Sequence, residues 1–264
     1  MQFVKYKWDV SRDLKGEPFL FSDKPEKIKL IGENVSFTLG KKICIGHTKN
    51  GKHVSCPGQR ITEEKMCREC MLNDDFFMCV KCDGAECINE SQRNACVKSK
   101  FYIYLAAFST TLKVGISQEF RILERLVEQG ADMGAKIGMV TDGKLAREIE
   151  QKISKSLGIV DRISGVDKQK MLFGNINVAS MNLFNAYSKL RVNGLSSYLI
   201  NPEIYNLQNM YRLSSVTSMP KPLDLKEGAE VKGKVVAAKG NIVVLENNGF
   251  FSLNSNKLVG FEIN

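Results

Sequence analysis

The sequence predicts an α+β protein assembled from several small modules. Three observations carry this reading. Eight cysteines fall between Cys44 and Cys96 and none lies elsewhere. Strand-like segments with period-two alternation occupy both ends of the chain. Between them, strands alternate with helices whose apolar residues recur at three- and four-residue spacing. The expected organisation is an N-terminal β segment over residues 1–43, a two-zinc cysteine module over 44–99, an α/β core with added helices over 100–216, and a small β-barrel over 217–264.

The first segment reads as β because alternating stretches at residues 19–21, 28–30 and 35–39 are separated by Gly, Asp, Pro and Asn. The cysteine module follows. Cys67/Cys70 and Cys79/Cys82 are each spaced C-x2-C, which lets two thiolates reach one ion from a single turn. Tetrahedral zinc takes four ligands, so eight cysteines make two sets. The downstream set is Cys79, Cys82, Cys87 and Cys96. The upstream set is Cys56, Cys67 and Cys70 with Cys44 as the preferred fourth ligand. His53 competes with Cys44, because it forms a His-x2-Cys pair with Cys56; otherwise it reads as a solvent-facing loop residue. Ligands interleaved between the sets are a further alternative, since order in sequence does not fix order in space. Sites that use all four positions on protein ligands are structural. A disulfide framework is the competing reading, but it belongs to short secreted chains.

The α/β core opens with a strand at 101–107, a turn at 109–111 and a strand at 112–116. A helix follows, with Phe120, Leu123, Leu126 and Val127 on its apolar face and Arg121, Glu124, Arg125 and Glu128 away from it. Gly130 is placed to close that helix as a left-handed cap. After a strand at 136–140, a second helix carries Leu145, Ile149, Ile153 and Leu157 at four-residue spacing and ends at Gly158. Glu150 sits at the edge of its apolar face, where a carboxylate can point into a groove. A third helical pattern spans 178–191, with Val178, Met181, Phe184 and Leu190 as its apolar residues. Asn201-Pro202-Glu203 reads as a cap, a first-turn proline and an acidic residue opening a helix to about residue 214. Pro220 and Pro222 mark a linker. The last strands are expected at 231–236, 242–245 and 250–253, with a hairpin turn at Asn247-Asn248-Gly249. Small barrels of OB or SH3 type often bind nucleic acid on one face.

Lys+Arg number 38 against 29 Asp+Glu, a formal net charge of +9. That excess favours polyanionic partners such as RNA, DNA or a ribosome surface. The chain is 43% hydrophobic and 25% charged, which excludes a disordered polymer. The N-terminus lacks an apolar signal core and no apolar run reaches membrane-spanning length, so the expected location is the cytoplasm, with no membrane partner. Clustered cysteines there stay reduced and read as metal ligands.

Tyr102-Ile103-Tyr104, then Lys113-Val114-Gly115, an arginine-bearing helix, and a glutamate on the next helix form a series that resembles the GIY-YIG nuclease core. The resemblance implies that Tyr104 is the tyrosine of the first motif and Gly115 the glycine of the second. It further implies that Arg125 contacts the scissile phosphate and Glu150 holds a single Mg²⁺ or Mn²⁺. The chain departs at Lys113, which stands where the superfamily carries the tyrosine thought to activate water, and at Gln129, where His or Tyr is common. A lysine with an ordinary pKa of about 10.4 is protonated at pH 7 and neutralises phosphate instead. Over about residues 40–264 the chain is also similar to an uncharacterised prokaryotic family, a domain of unknown function. The residues that carry this are Tyr104-Leu105-Ala106, Lys113-Val114-Gly115, Arg125, Glu128-Gln129-Gly130-Ala131, Lys239-Gly240, Asn254 and Gly260.

The expected function is a two-zinc nucleic-acid-binding protein, RNA favoured over DNA, with Lys113, Arg121 and Arg125 on phosphates and a ribosome or tRNA among its partners. The alternative is an active divalent-metal nuclease that uses Tyr104, Lys113, Arg125 and Glu150. A protein-interaction scaffold resembling a RING or LIM module fits the cysteine count but not the α/β core or the charge.

Overall fold

The computed structural model describes residues 1–24, 26–160, 162–192 and 195–264. The chain divides into two compact units, Met1–Phe77 with Met210–Asn264, and Met78–Asn209. The cysteines divide with it: Cys44, Cys56, Cys67 and Cys70 belong to the first unit and Cys79, Cys82, Cys87 and Cys96 to the second. The fold is mixed α+β, as its sequence predicts.

The first unit begins with an antiparallel meander of β1 (Phe3–Val10), β2 (Gly16–Ser22) and β3 (Lys27–Lys29). Strand β4 (Asn34–Lys42) follows, then the small hairpin of β5 (His47–Lys49) and β6 (Lys52–Val54), and helix α1 (Arg68–Asn73).

The second unit starts with α2 (Glu90–Lys98), which buries none of its residues. A four-stranded sheet is built from β7 (Lys100–Phe108), β8 (Thr111–Gln118), β9 (Met133–Thr141) and β10 (Leu199–Asn206), in the order β10-β9-β7-β8. Its helices are α3 (Ile122–Gln129), α4 (Gly143–Leu157), α5 (Gly165–Lys170) and α6 (Ile176–Val192). Ile149 and Ile153 of α4 and Leu183 and Leu190 of α6 pack with Ile103 and Leu105 of β7 in one core. Because a strand alternates faces, Tyr104 and Ala106 belong to the opposite face, where Leu126 of α3 closes on Gly134. Gly130 and Gly158 end α3 and α4 in the left-handed conformation, as expected from their positions.

The chain then completes the first unit with β11 (Lys221–Pro222), β12 (Glu230–Lys239), β13 (Ile242–Glu246), β14 (Phe250–Asn254), α7 (Ser255–Leu258) and β15 (Phe261–Ile263). The hairpin turn at Asn247–Gly249 joins β13 to β14 as expected. The expected small barrel over 217–264 is not formed. The strands lie in a six-stranded sheet ordered β11-β14-β13-β12-β4-β15, and no closed barrel is found among the described residues. The edge of β12 is paired by β4, from Glu230↔Thr38 to Lys234↔Asn34. A row of unpaired backbone groups needs a partner, and the one that satisfies it comes from the far end of the sequence. Pro222, expected in a linker, lies in the short outer strand β11, where a missing N–H costs no ladder bond.

Three local expectations are also corrected. Residues 201–206 are strand, not the start of a helix. Glu203, Ile204, Tyr205 and Asn206 pair with Lys136, Ala135, Gly134 and Met133 of β9, and the register slips between Leu199 and Glu203, the stretch that holds Pro202. Proline is tolerated on such an outer strand, and Glu203 answers Lys136 rather than a helix dipole. On α6, the buried side is Ala179, Leu183, Ala186 and Leu190, whereas Met181 and Phe184 are exposed. Phe120 is 81% exposed, since α3 begins at Ile122 and Phe120 sits in the preceding 3-10 turn.

Candidate functional site

The second unit holds a cleft of about 440 Å³ beside β8. Its construction starts from one glycine. Gly115 of β8 stands directly opposite Tyr104 of β7. A Cβ at Gly115 would overlap the Tyr104 hydroxyl oxygen and Cζ and reach within 2.9 Å of Cε1. Only a glycine lets the phenol ring lie across its neighbour strand. Tyr104 is thereby held rigidly and is 1% exposed. Burial pushes its phenol above the ordinary value, the Arg125 guanidinium pulls it down, and the Glu150 carboxylate pushes it up.

Tyr104, Lys113, Gly115, Arg125, Gln129 and Glu150 line this one cleft, so β7, β8, α3 and α4 bring the four candidate catalytic residues together. Lys113 is 8% exposed and Glu150 is 2% exposed. The carboxylate of Glu150, expected to keep its charge unburied, is instead buried and paired: Arg147 Nη1 donates to Glu150 Oε2 at 2.6 Å. A buried charge needs such a partner, since an isolated carboxylate loses its hydration. Arg121, expected on phosphate, does not line the cleft. It pairs with Glu124 at 3.1 Å and Glu128 at 3.4 Å, while Arg125 also reaches Glu128 at 3.4 Å.

The structure adds residues that sequence reading missed. Arg147, Arg162 and Lys81 line the cleft, with Asp83 beside them. Arg147 was discoverable, because residues three apart on a helix are neighbours and it stands three before Glu150. Arg162 and Lys81 lie outside helices with a usable period, and no pattern marks them. Lys168 of α5 lies close enough to Lys113 and Arg125 for their charges to act on it. Burial, then Lys113 and Arg125, lower its pKa to about 8, against an opposing pull from Glu128.

The upstream cysteines form a second candidate site. The Sγ atoms of Cys44, Cys56, Cys67 and Cys70 all lie within 4.8 Å of one another. Cys44, Cys56 and Cys70 are buried, and among the described residues the partly buried hydrophobics packed against them are Met66 and Cys67. Backbone N–H groups point at the sulfurs: Cys67 N donates to Cys44 Sγ at 3.1 Å and Gly46 N at 3.4 Å. Backbone donors near Arg60 and Gly58 bring the Cys56 thiol down to about 7, whereas burial pushes the Cys44 and Cys70 thiols up. Amides aimed at sulfur stabilise thiolates, and a dication would complete the ionisation of the buried ones. The cluster is therefore compatible with a structural zinc ion. His53 is not part of it; its Nε2 lies 2.6 Å from the Ile45 carbonyl.

The downstream cysteines are gathered more loosely. Burial raises the Cys79 thiol, and the charges of Cys96, Cys82 and Cys87 add to that rise, while Asn89 Nδ2 donates to Cys79 Sγ at 3.1 Å. The segment is fused to α4, the helix that carries Arg147 and Glu150. Arg93 forks onto the α4 cap residue Asp142 at 2.5 and 2.7 Å. A Cβ at Gly84 would come within 2.8 Å of Glu148 Cα, and one at Gly143 within 2.6 Å of Cys96 Sγ. Val80, Lys81, Cys82 and Asp83 form one wall of the cleft.

A family model described as Protein of unknown function (DUF2797) matches residues 32–263. The chain belongs to this family. The DUF2797 match takes in both cysteine sets and every residue of the cleft, and leaves the β1–β3 meander outside it. No curated protein and no solved structure matches the chain. No helix among the described residues is long and apolar enough to cross a membrane.

Proposed function

We propose that the cleft of the second unit binds the sugar-phosphate backbone of a nucleic acid, with RNA favoured over DNA. The observation that carries this is the charge lining the cleft: Lys81, Lys113, Arg125, Arg147 and Arg162 against only Asp83 and Glu150. Phosphate contacts position a nucleic acid without reading its sequence, and arginine forks suit them. Two zinc ions per chain, one on each cysteine set, hold the surrounding backbone, the downstream one supporting the cleft wall. A cytoplasmic structured RNA such as tRNA or the ribosome is the partner class that this chemistry fits.

Affinity for RNA is expected to fall steeply with salt, because each neutralised phosphate releases counterions. Replacing Lys113 and Arg125 together with Ala should weaken binding across sequences and flatten the salt slope by about 0.7–0.9 per lost contact. Fluorescence anisotropy over a salt series measures both. A double variant that binds like the parent would show that the cleft is not the binding surface.

The second reading is a divalent-metal nuclease of GIY-YIG type. It is favoured by Glu150 and Tyr104 sharing one cleft with Arg125. On this reading Glu150 holds Mg²⁺ or Mn²⁺ through the oxygen that Arg147 leaves open, and Tyr104, kept protonated by burial, orients the water rather than deprotonating it. Glu150→Gln then abolishes cleavage while RNA remains bound, and Lys113→Tyr raises it. Tight binding by the parent with no cleavage of single-stranded, duplex or structured RNA or DNA under either metal removes this reading.

A further inference from the structure

We propose that Phe120, at the rim of the cleft, is a stacking platform for an unpaired base of the nucleic acid whose phosphates lie in the cleft. This rests on the nucleic-acid reading above and specifies its ligand as a single-stranded segment: a loop, a bulge or an end. Position comes first. Ile116 of β8 and Arg125 of α3 both line the cleft, and Phe120 stands between them in the 3-10 turn Glu119–Arg121. A chain spans at most about 3.3–3.6 Å per residue, so four residues keep the Phe120 Cα within about 14 Å of that of Ile116. The turn is also anchored to the sheet, because Tyr102 Oη donates to Glu119 Oε1 at 3.3 Å. Tyr102 stands two residues from Tyr104 on β7, so the anchor belongs to the face of the sheet on which Tyr104 lines the cleft.

Exposure and charge then say what the turn offers. At 81% exposed, Phe120 is the most exposed aromatic ring among the described residues, although Ile122, two positions on, is buried. A phenyl ring left in water forgoes the stabilisation that burial would give it. The turn has little to give a phosphate. Arg121 is paired with Glu124 and Glu128, and Glu119 is itself acidic. A ring set among carboxylates suits the uncharged face of a base, while the cations lining the cleft, Arg125 among them, take the phosphates. Every base has a π-face, so such a contact tolerates any sequence. In a duplex those faces are covered by the neighbouring bases, so the ring finds a partner only where bases are unpaired.

The test measures the full chain by fluorescence anisotropy against an unstructured single-stranded RNA and against the same strand annealed to its complement. The parent is expected to bind the single strand more tightly. Phe120→Ala is expected to lose about tenfold in affinity for the single strand, the loss of one base–aromatic stack, and nothing for the duplex. Its salt slope should match the parent's, because no phosphate contact is removed. Phe120→Trp should keep the affinity and Phe120→Leu should lose it, which separates stacking from plain apolar contact. The ring lies outside the core, so the circular dichroism of all three variants should match the parent's. A parent that binds the duplex as tightly as the single strand overturns the inference. So does Phe120→Ala binding like the parent while the Lys113 and Arg125 double variant is weakened; both results leave the cleft reading standing. Phe120→Leu binding like the parent also overturns it, and failure of every RNA to bind overturns both readings.

Discussion

Cys70→Ser is expected to cost the first unit its metal ion and the ordered structure around it. The four thiols supply almost all the buried apolar contact there, with only Met66 added. What else ties the segment together is polar: backbone hydrogen bonds, and Asp74 and Asp75 accepting from Thr48 N at 2.8 Å and Asn50 N at 2.6 Å. The hairpin of β5 and β6 has three residues on each strand, and the Arg60–Glu69 ion pair is half exposed on both sides. Exposed pairs contribute at most about 1 kcal/mol. Structural zinc in small modules supplies about 10–16 kcal/mol of apparent binding free energy, so a zinc ion on these four thiols would outweigh the packing of this segment. Elemental analysis of the parent should return about two zinc per chain and of the variant about one. Limited proteolysis should then cut between Cys44 and Asp75. A variant that keeps its metal and its protease resistance would end the zinc reading of this cluster.

The same reasoning extends to the downstream set. Helix α2 buries nothing and the 3-10 turn Met78–Lys81 buries nothing. Val80 and Ile88 are exposed, so among the described residues no apolar core lies under the wall of the cleft. Its anchors are the Arg93–Asp142 fork and the close seat of Gly84 on α4. If a zinc ion binds the downstream thiols, the wall of the cleft is expected to lose its order when that ion is removed.

How much of this was legible in the sequence follows from the range of each interaction. Helix α4 and its glycine cap were readable, because a four-residue apolar period and a Gly stop are local. The four upstream cysteines were readable, because thiol count and C-x2-C spacing constrain a tetrahedral site. The β4–β12 pairing was not, because it joins residues near 36 to residues near 232 and leaves no local mark. Pro202 misled because the same residue suits a helix start and an outer strand, and only the neighbour β9 decides between them. Tyr104, Lys113, Arg125 and Glu150 were found through motif order, whereas Lys81 and Arg162 needed the fold to bring them to the same cleft.

Gly115→Ala is expected to be among the most damaging single-methyl additions in the second unit. The new Cβ would collide with the Tyr104 ring, which is 1% exposed. Overpacking of this kind costs about 1–3 kcal/mol, and the upper end applies where backbone opposes backbone in a paired register. The displaced phenol would also disturb the cleft that Tyr104 lines, so RNA affinity should fall together with stability. A double-mutant cycle separates this from a general intolerance of the strand. Tyr104→Ala alone should cost about 3–5 kcal/mol, as large-to-small core changes do. In that background the clash is gone, and Gly115→Ala should become neutral or stabilising by about 0.5–1 kcal/mol, because alanine restricts the unfolded chain more than glycine does. The sign of one substitution would therefore reverse with the presence of one ring. Urea midpoints for the four proteins measure the coupling, expected at about 2–3 kcal/mol for side chains in contact. Additive costs would mean that Gly115 serves some other need, and that the tyrosine is not what shapes the floor of the cleft.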